Sequence, residues 1–207
     1  MIYIGLDLGQ RHDNSGFVGI EKPARHRLST MPQSLLLRMA ERIPLGMAYP
    51  EIVEVLTSNS RLQRTCPAIR PNNAMGRMAG DGLCKLVVDA TGLGRPVVEM
   101  IRRARLECDL TAVMITSGDR QHYRPGEGGS MNVPKQDLIA GVQMALERRE
   151  LRIAKKLREA GTLKRELLDV RMSRRDSGYL RFGADGYGQH DDLVIALALA
   201  IWRAGRF

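Results

Sequence analysis

Four aspartates carry the chemistry open to this chain. Asp7 closes the segment IYIGLD, Asp89 closes KLVVD, and Asp191 with Asp192 opens DDLVIALALAIW. Each stands at the edge of an apolar segment, where a carboxylate needs a reason to be. If the three segments are neighbours, their carboxylates meet. Carboxylates brought together repel and raise one another's pKa unless a cation compensates. Their hard oxygens suit Mg²⁺ or Mn²⁺ better than a soft metal. The spacing therefore implies a divalent-metal site with Asp7, Asp89 and one or both of Asp191 and Asp192 as ligands. Each has a plainer local alternative. Asp7 precedes Gly9 and could form a turn, Asp89 could cap the helix that follows, and one of the final pair could be an N-cap favoured by the helix dipole. Asp191 is the expected closer ligand, with Asp192 a first-turn residue. His190 beside them is a candidate ligand or proton shuttle.

The elements that must position these groups follow from periodicity. Residues 2–8 and 16–21 alternate as strands, with a weaker third strand expected at 26–30. Pro50 suits the first turn of a helix carrying Ile52, Val53 and Leu56 on one face. Residues 57–81 dissolve into polar, proline and glycine positions and read as a long surface connection. A strand at 83–89, a helix at 96–106 and a strand at 110–116 alternate as a parallel βαβ unit should. Residues 118–131 read as a glycine-rich loop. A helix then starts at Pro134 with Leu138, Ile139, Val142, Ala145 and Leu146 on its stripe, and a second is expected over 157–168. Residues 170–172 and 179–182 read as a hairpin, and residues 193–202 as a buried helix too short to span a bilayer. This order is that of ribonuclease H: a mixed five-stranded α/β sheet flanked by helices, with an added hairpin. Its first and fourth strands lie side by side, which would set Asp7 against Asp89.

At 207 residues the chain suits a single domain. A net charge of +9 is ordinary for a protein that follows a phosphate backbone, so nucleic acid is the expected partner. Arg171, Arg174 and Arg175 on the hairpin are the expected DNA contacts, because a two-stranded ribbon can follow a groove. Lys135 at a helix start opposes the dipole preference and is expected to face phosphate. Arg148, Arg149, Arg152, Lys155, Lys156 and Arg158 fit either a solvated face or a DNA surface. Aromatic residues make up only 4%, too few for an obvious base-stacking platform. Cys66, Cys84 and Cys108 show neither zinc-ligand nor disulfide-framework spacing. With no signal-peptide pattern at the N-terminus, a reducing cytoplasm is the expected location.

Five stretches taken together resemble the nuclease domain of tailed-phage terminase large subunits, which has a ribonuclease H-like fold. They are IGLDLGQRHDNSGFV, RIPLGMAYPEIVEVL, VVDATGLGRPVVEMI, VPKQDLIAGVQMALERRELRIA and QHDDLVIALALAIW, in the family's order. The resemblance implies cleavage of double-stranded DNA by two Mg²⁺ or Mn²⁺ ions held by Asp7, Asp89 and one or both of Asp191 and Asp192. It implies a role in phage genome packaging, inside a bacterial host cell, with portal and small-terminase partners. One departure stands out. A complete large subunit also carries a packaging ATPase, whereas Gly92-Leu93-Gly94-Arg95 lacks the lysine and hydroxyl of a P-loop, so ATPase activity would come from a partner domain or subunit.

Three other functions remain open on the sequence. The segments LDLG and DATG also look like the phosphate loops of actin-like and sugar-kinase-like nucleotide-binding proteins, and Thr91, Gly92 and Gly94 could form either a phosphate loop or only a turn. A Holliday-junction resolvase-like nuclease would share the fold. A non-catalytic DNA-binding module would share the charge.

Overall fold

Alternation in IYIGLD produces the first strand, β1 (Ile2–Asp7), with Ile4 and Leu6 on one face and Tyr3 on the other. β2 (Ser15–Glu21) pairs with it antiparallel and is buried on both faces, as a central strand must be. The third described strand is β3 (Leu35–Ile43); the 26–30 segment that the sequence suggested lies outside the described residues. LLLRMAERI hides its strand character because a β-bulge interrupts it: Gly19 pairs with Met39 but Ile20 with Leu37, leaving Arg38 as the extra residue. The bulge switches the phase of alternation, so Leu35, Leu37 and Ala40 share one core while Met39 and Ile43 face the other.

The computed structural model describes residues 1–9, 14–24, 33–58, 84–92, 94–106, 108–125, 129–174, 180–184 and 190–205, with backbone alone for 171–174 and 180–184. The expected surface connection therefore lies almost wholly outside the described residues. After α1 (Tyr49–Ser58), β4 (Cys84–Asp89) runs parallel to β1, α2 (Gly94–Arg103) crosses over, and β5 (Asp109–Thr116) extends the sheet. The expected loop at 118–131 contains strand residues at both 122–124 and 130–131, while 126–128 lie outside the described residues. It holds β6 (His122–Arg124) and leads into β7 (Ser130–Pro134), an antiparallel pair that adds to the edge of the sheet. Strands this short show no periodicity, and the intervening glycines read as a loop. α3 (Lys135–Glu147) buries Leu138, Val142 and Ala145 but leaves Leu146 exposed. β8 (Leu151–Ile153) pairs parallel with β3 at the other edge. α4 (Ala160–Asp169), the hairpin β9 (Val170–Arg174) and β10 (Leu180–Ala184), and α5 (Asp192–Gly205) complete the chain.

Among the described residues the main sheet has eight strands in the order β6-β7-β5-β4-β1-β2-β3-β8, against the five expected. Four of the expected strands, seen as β1, β2, β4 and β5, lie together in its interior with β1 and β4 adjacent, and β3 continues the sheet beyond β2. One core lies between this sheet and α3 and α5; the other lies on the opposite face, under α1 and α2. α5 is the central packing element, since Leu193, Ala196, Leu197, Ala198, Leu199 and Ala200 have no exposed surface. Truncating Leu197 to Ala would cost about 2–5 kcal/mol. Among the described residues no helix is long and apolar enough to cross a membrane.

Candidate metal centre

Alternation along two parallel strands builds the first half of the site. Leu6 pairs with Val88, so the next residues, Asp7 and Asp89, stand side by side at the carboxyl end of the sheet. Asp7 shares its face with Tyr3, and Asp89 shares its face with Val87, both in the core that α5 covers. Ligand crevices of open α/β sheets lie at this end.

Two glycines bring α5 to them. A Cβ on Gly5 would run into the Ala196 carbonyl, and one on Gly16 would lie 2.9 Å from the Asp192 carbonyl. Without side chains there, the helix rests directly on β1 and β2. Gly16 pairs with Asp7 across the strands, so Asp192, lying over Gly16, comes to the same corner as Asp7. Asp192 is 4% exposed. His190 precedes the pair and is half-buried.

The electrostatics record this crowding. Burial, then the negative charges of Asp89, Asp192 and Asp191 in that order, hold the Asp7 carboxyl well above the usual aspartate range, with Lys135 partly offsetting them. Asp89 is also raised, chiefly by burial, although hydrogen bonds from Thr91 and the charge of Lys135 pull the other way. The Thr91 amide donates to Asp89 Oδ1 at 2.8 Å, its hydroxyl donates to the same oxygen at 2.5 Å, and Thr91 Oγ1 accepts the Ile115 amide at 2.8 Å. Thr91 thus holds Asp89 against β5. Gly92, at φ +65°, makes the turn that follows.

Each of the last two aspartates faces a cation. Lys135 Nζ, from the first turn of α3, lies 2.8 Å from Asp191 Oδ2. The lysine expected to face phosphate is therefore at the acidic corner itself. Arg42 Nη2 lies 3.6 Å from Asp192 Oδ2 and bonds Glu166 Oε1. Among the described residues, no three acidic, histidine or cysteine side chains are gathered into a closed ligand cage. Thr91, Lys135 and Arg42 instead hold the carboxylates separately around Asp7.

Arg42 and Glu166 escape a reading of the sequence. Glu166 falls on the apolar stripe of α4 with Leu163 and Leu167, and that misplaced charge was the available signal. Arg42 opens one of the five stretches quoted above, but nothing in that stretch marks its inward direction, which depends on the bulge. Of the expected DNA contacts, Arg171 and Arg174 belong to β9, which with β10 leads from α4 toward His190, while Arg175 lies outside the described residues. Arg148, Arg149, Arg152, Lys155, Lys156 and Arg158 are exposed around β8, at the edge of the sheet.

No protein-family model matches the chain, and no curated protein sequence matches it. Solved structures do. The large terminase nuclease of thermophilic phage G20c is 22% identical over 98% of this chain and 82% of its own, with a TM-score of 0.62; it has also been solved with magnesium and with cobalt. The nuclease domain of the large terminase subunit of bacterial virus Sf6, a mutant form solved with manganese, is 13% identical over 97% of this chain and 87% of its own, at a TM-score of 0.63. The human cytomegalovirus terminase nuclease domain is 12% identical over 97% of this chain and 82% of its own, at 0.56. The fold of this chain is that of terminase nuclease domains, a ribonuclease H-like fold.

Proposed function

We propose that this chain is a single-domain, metal-dependent endonuclease that cleaves double-stranded DNA with little sequence preference, as the nuclease of a phage terminase large subunit. The observation that carries this reading is the gathering of Asp89, Asp191 and Asp192 around Asp7 at one corner of the fold, where burial and their negative charges raise the Asp7 carboxyl and burial raises that of Asp89. A donor set made only of hard oxygens fits Mg²⁺ or Mn²⁺, as in the metal-bound phage structures of the same fold. Asp7 and Asp89 would be central ligands, and Asp192 and Asp191 would complete the set from α5. Two such cations would supply Lewis acidity toward the attacking water and relief of charge on the departing 3′ oxygen.

The chain's own groups do the rest. Thr91 fixes the Asp89 carboxylate so that one oxygen is committed and the other is available. Lys135, held by Asp191, places a positive charge where a scissile phosphate would approach. His190, just before α5, would carry a proton to or from solvent. Arg171, Arg174 and Arg175 would hold the DNA backbone without reading its sequence. Packaging would draw on an ATPase, portal and small-terminase partner, and the site of action would be the host cytoplasm.

Plasmid digestion with Mg²⁺, Mn²⁺ or chelator tests the proposal. Nicking and linearisation that need the divalent ion and vanish with chelator are expected; no cleavage under any ion would remove it. Preferential cutting of four-way junctions would point to a resolvase, and saturable micromolar ATP binding to a nucleotide-binding protein. Charge reversal at Arg174 and Arg175 is expected to weaken duplex binding and flatten its salt dependence, because fewer counterions are released.

A further inference from the structure

The first turn of α5 is capped by a residue from another helix. Glu166 Oε2, on α4, accepts the amide hydrogens of Leu193 at 3.0 Å and Val194 at 3.2 Å. Its other oxygen accepts from the Arg42 guanidinium, whose Nη2 is also 3.6 Å from Asp192 Oδ2. The Glu166 side chain is 5% exposed and stands among leucines.

A helix that only needs a cap takes it from its own N-cap side chain. Here Asp191 holds that position, since its carbonyl accepts the Ile195 amide at 2.8 Å. Its carboxylate instead turns to Lys135. The local cap has been diverted to the acidic corner, and a buried carboxylate carried in from α4 replaces it. Burying that charge is costly unless it is fully bonded, and an apolar residue would fill the same place in the stripe. The arrangement gains two things a local cap could not provide. Asp191 and Asp192 are both released from capping, and the arginine facing Asp192 is locked in place by Glu166. The bulge in β3 serves the same end by turning Arg42 to the α5 face.

We propose that Glu166, acting through the α5 amides and Arg42, is a positioning residue for the metal-binding centre, holding Asp191 and Asp192 toward Asp7. The proposal rests on the nuclease reading given above. Partners that orient metal ligands without touching the ion typically contribute about 10–100-fold to metal affinity.

The test compares the full chain with Glu166→Gln, Glu166→Asp and Arg42→Lys. Gln keeps an oxygen for the helix amides but sets an NH₂ group against the guanidinium. Asp keeps the charge and withdraws it by one methylene. Lys at 42 keeps a cation but loses the guanidinium whose Nη2 faces both carboxylates. Mn²⁺ binding is measured by calorimetry without DNA, alongside plasmid cleavage across Mn²⁺ concentrations and thermal melting. Each folded variant is expected to bind Mn²⁺ about 10-fold more weakly, to need correspondingly more Mn²⁺ for half-maximal cleavage, and to recover most of its rate at saturating Mn²⁺. Folded variants with wild-type Mn²⁺ affinity, even if they melt lower, would reduce Glu166 to a structural cap and overturn the proposal alone. If Glu166→Gln does not fold, Arg42→Lys at its partly exposed site decides by the same readout. A wild-type chain that neither binds Mn²⁺ nor cuts DNA overturns both the nuclease reading and this role.

Discussion

Asp7 and Asp109 lie at opposite ends of one sheet and obey opposite electrostatics. Asp7 closes β1 at the carboxyl end; Asp109 opens β5 at the amino end. Around Asp109 the cations outnumber the acid: Lys85 Nζ lies at 2.7 Å and Arg203 Nη2 at 2.9 Å. Around Asp7 the acids outnumber the cations, with Asp89, Asp191 and Asp192 set against Lys135 and an Arg42 already shared with Glu166. Both corners use α5. Its last turn supplies Arg203, and its final carbonyls receive Lys22, whose Nζ is 2.7 Å from Ala204 O, as the helix dipole favours. Its first turn brings two more carboxylates to a place that already has two. A corner that serves stability balances its charge. A corner that leaves a deficit of positive charge is ready for a cation, and this contrast separates the site from the many other acidic residues.

Removing one acid from each corner breaks the comparison most sharply. Asp7→Asn and Asp89→Asn are each expected to lower Mn²⁺-dependent cleavage by about 10³-fold or more, a loss of ~4 kcal/mol of transition-state stabilisation. In metal-free protein, Asp7→Asn should nevertheless melt higher, by about 2–4 °C if ~1 kcal/mol of repulsion is relieved in a domain of this size. Asp109→Asn should leave cleavage intact and melt lower. Wild-type cutting rates for both Asp7→Asn and Asp89→Asn would end the metal-centre reading.

The next effect is steric and tests how α5 reaches the acidic corner. Gly5→Ala forces a Cβ into the Ala196 backbone in the middle of the helix, at an expected cost of about 3 kcal/mol, read as a lowered denaturation midpoint. Gly16→Ala pushes at Asp192 itself, at 2.9 Å from its carbonyl carbon and oxygen and 3.2 Å from its Cβ. It should cost less stability, about 1–2 kcal/mol, and more activity for that cost, because the displaced group belongs to the site. Gly161, in α4 with open space around its Cα, is the control: Ala there is expected to be neutral or to stabilise by about 0.5–1 kcal/mol. Equal losses at all three glycines would mean that α5 does not bear on β1 and β2 as described.

Much of this arrangement is legible in the sequence, and the exceptions share a cause. β1, β4 and α5 declare themselves through local alternation or unbroken apolarity, and each carries its aspartate at a boundary, so a corner with Asp7, Asp89 and the final pair could be drawn from the sequence alone. β3 could not, since its bulge replaces one alternation with two half-phases of Leu, Met and Ala. β6 and β7 are too short to show any period. Glu166 and Arg42 depend on tertiary contact: their partners lie 27 and 124 residues away in the chain. Gly5 and Gly16 were visible as strand glycines, but what they admit is the backbone of a helix nearly two hundred residues later. Side chains that hold chemistry in place are chosen by what the fold brings beside them, which local spacing does not encode.

The smallest expected effect sharpens the comparison from the balanced side. Burial alone would raise the Asp109 carboxyl, but the hydrogen bonds and charges of Lys85 and Arg203 outweigh it and hold the group below its ordinary value of 3.8. A carboxyl with a depressed folded-state pKa binds fewer protons folded than unfolded over that interval, so its contribution to stability is present above pH ~4 and is lost as pH falls through the folded value. The pair is about half exposed on the aspartate side, 45%, so the contribution is screened and should stay under ~1 kcal/mol. Wild type and Asp109→Asn are therefore expected to differ by at most about 2–4 °C in melting temperature near neutrality and to converge as pH falls below about 4. Salt should narrow the gap at neutral pH as well, because part of the interaction reaches solvent. A gap that persists unchanged at acid pH would show that Asp109 acts through packing rather than charge, and the opposition between the two corners would then rest on Asp7 alone.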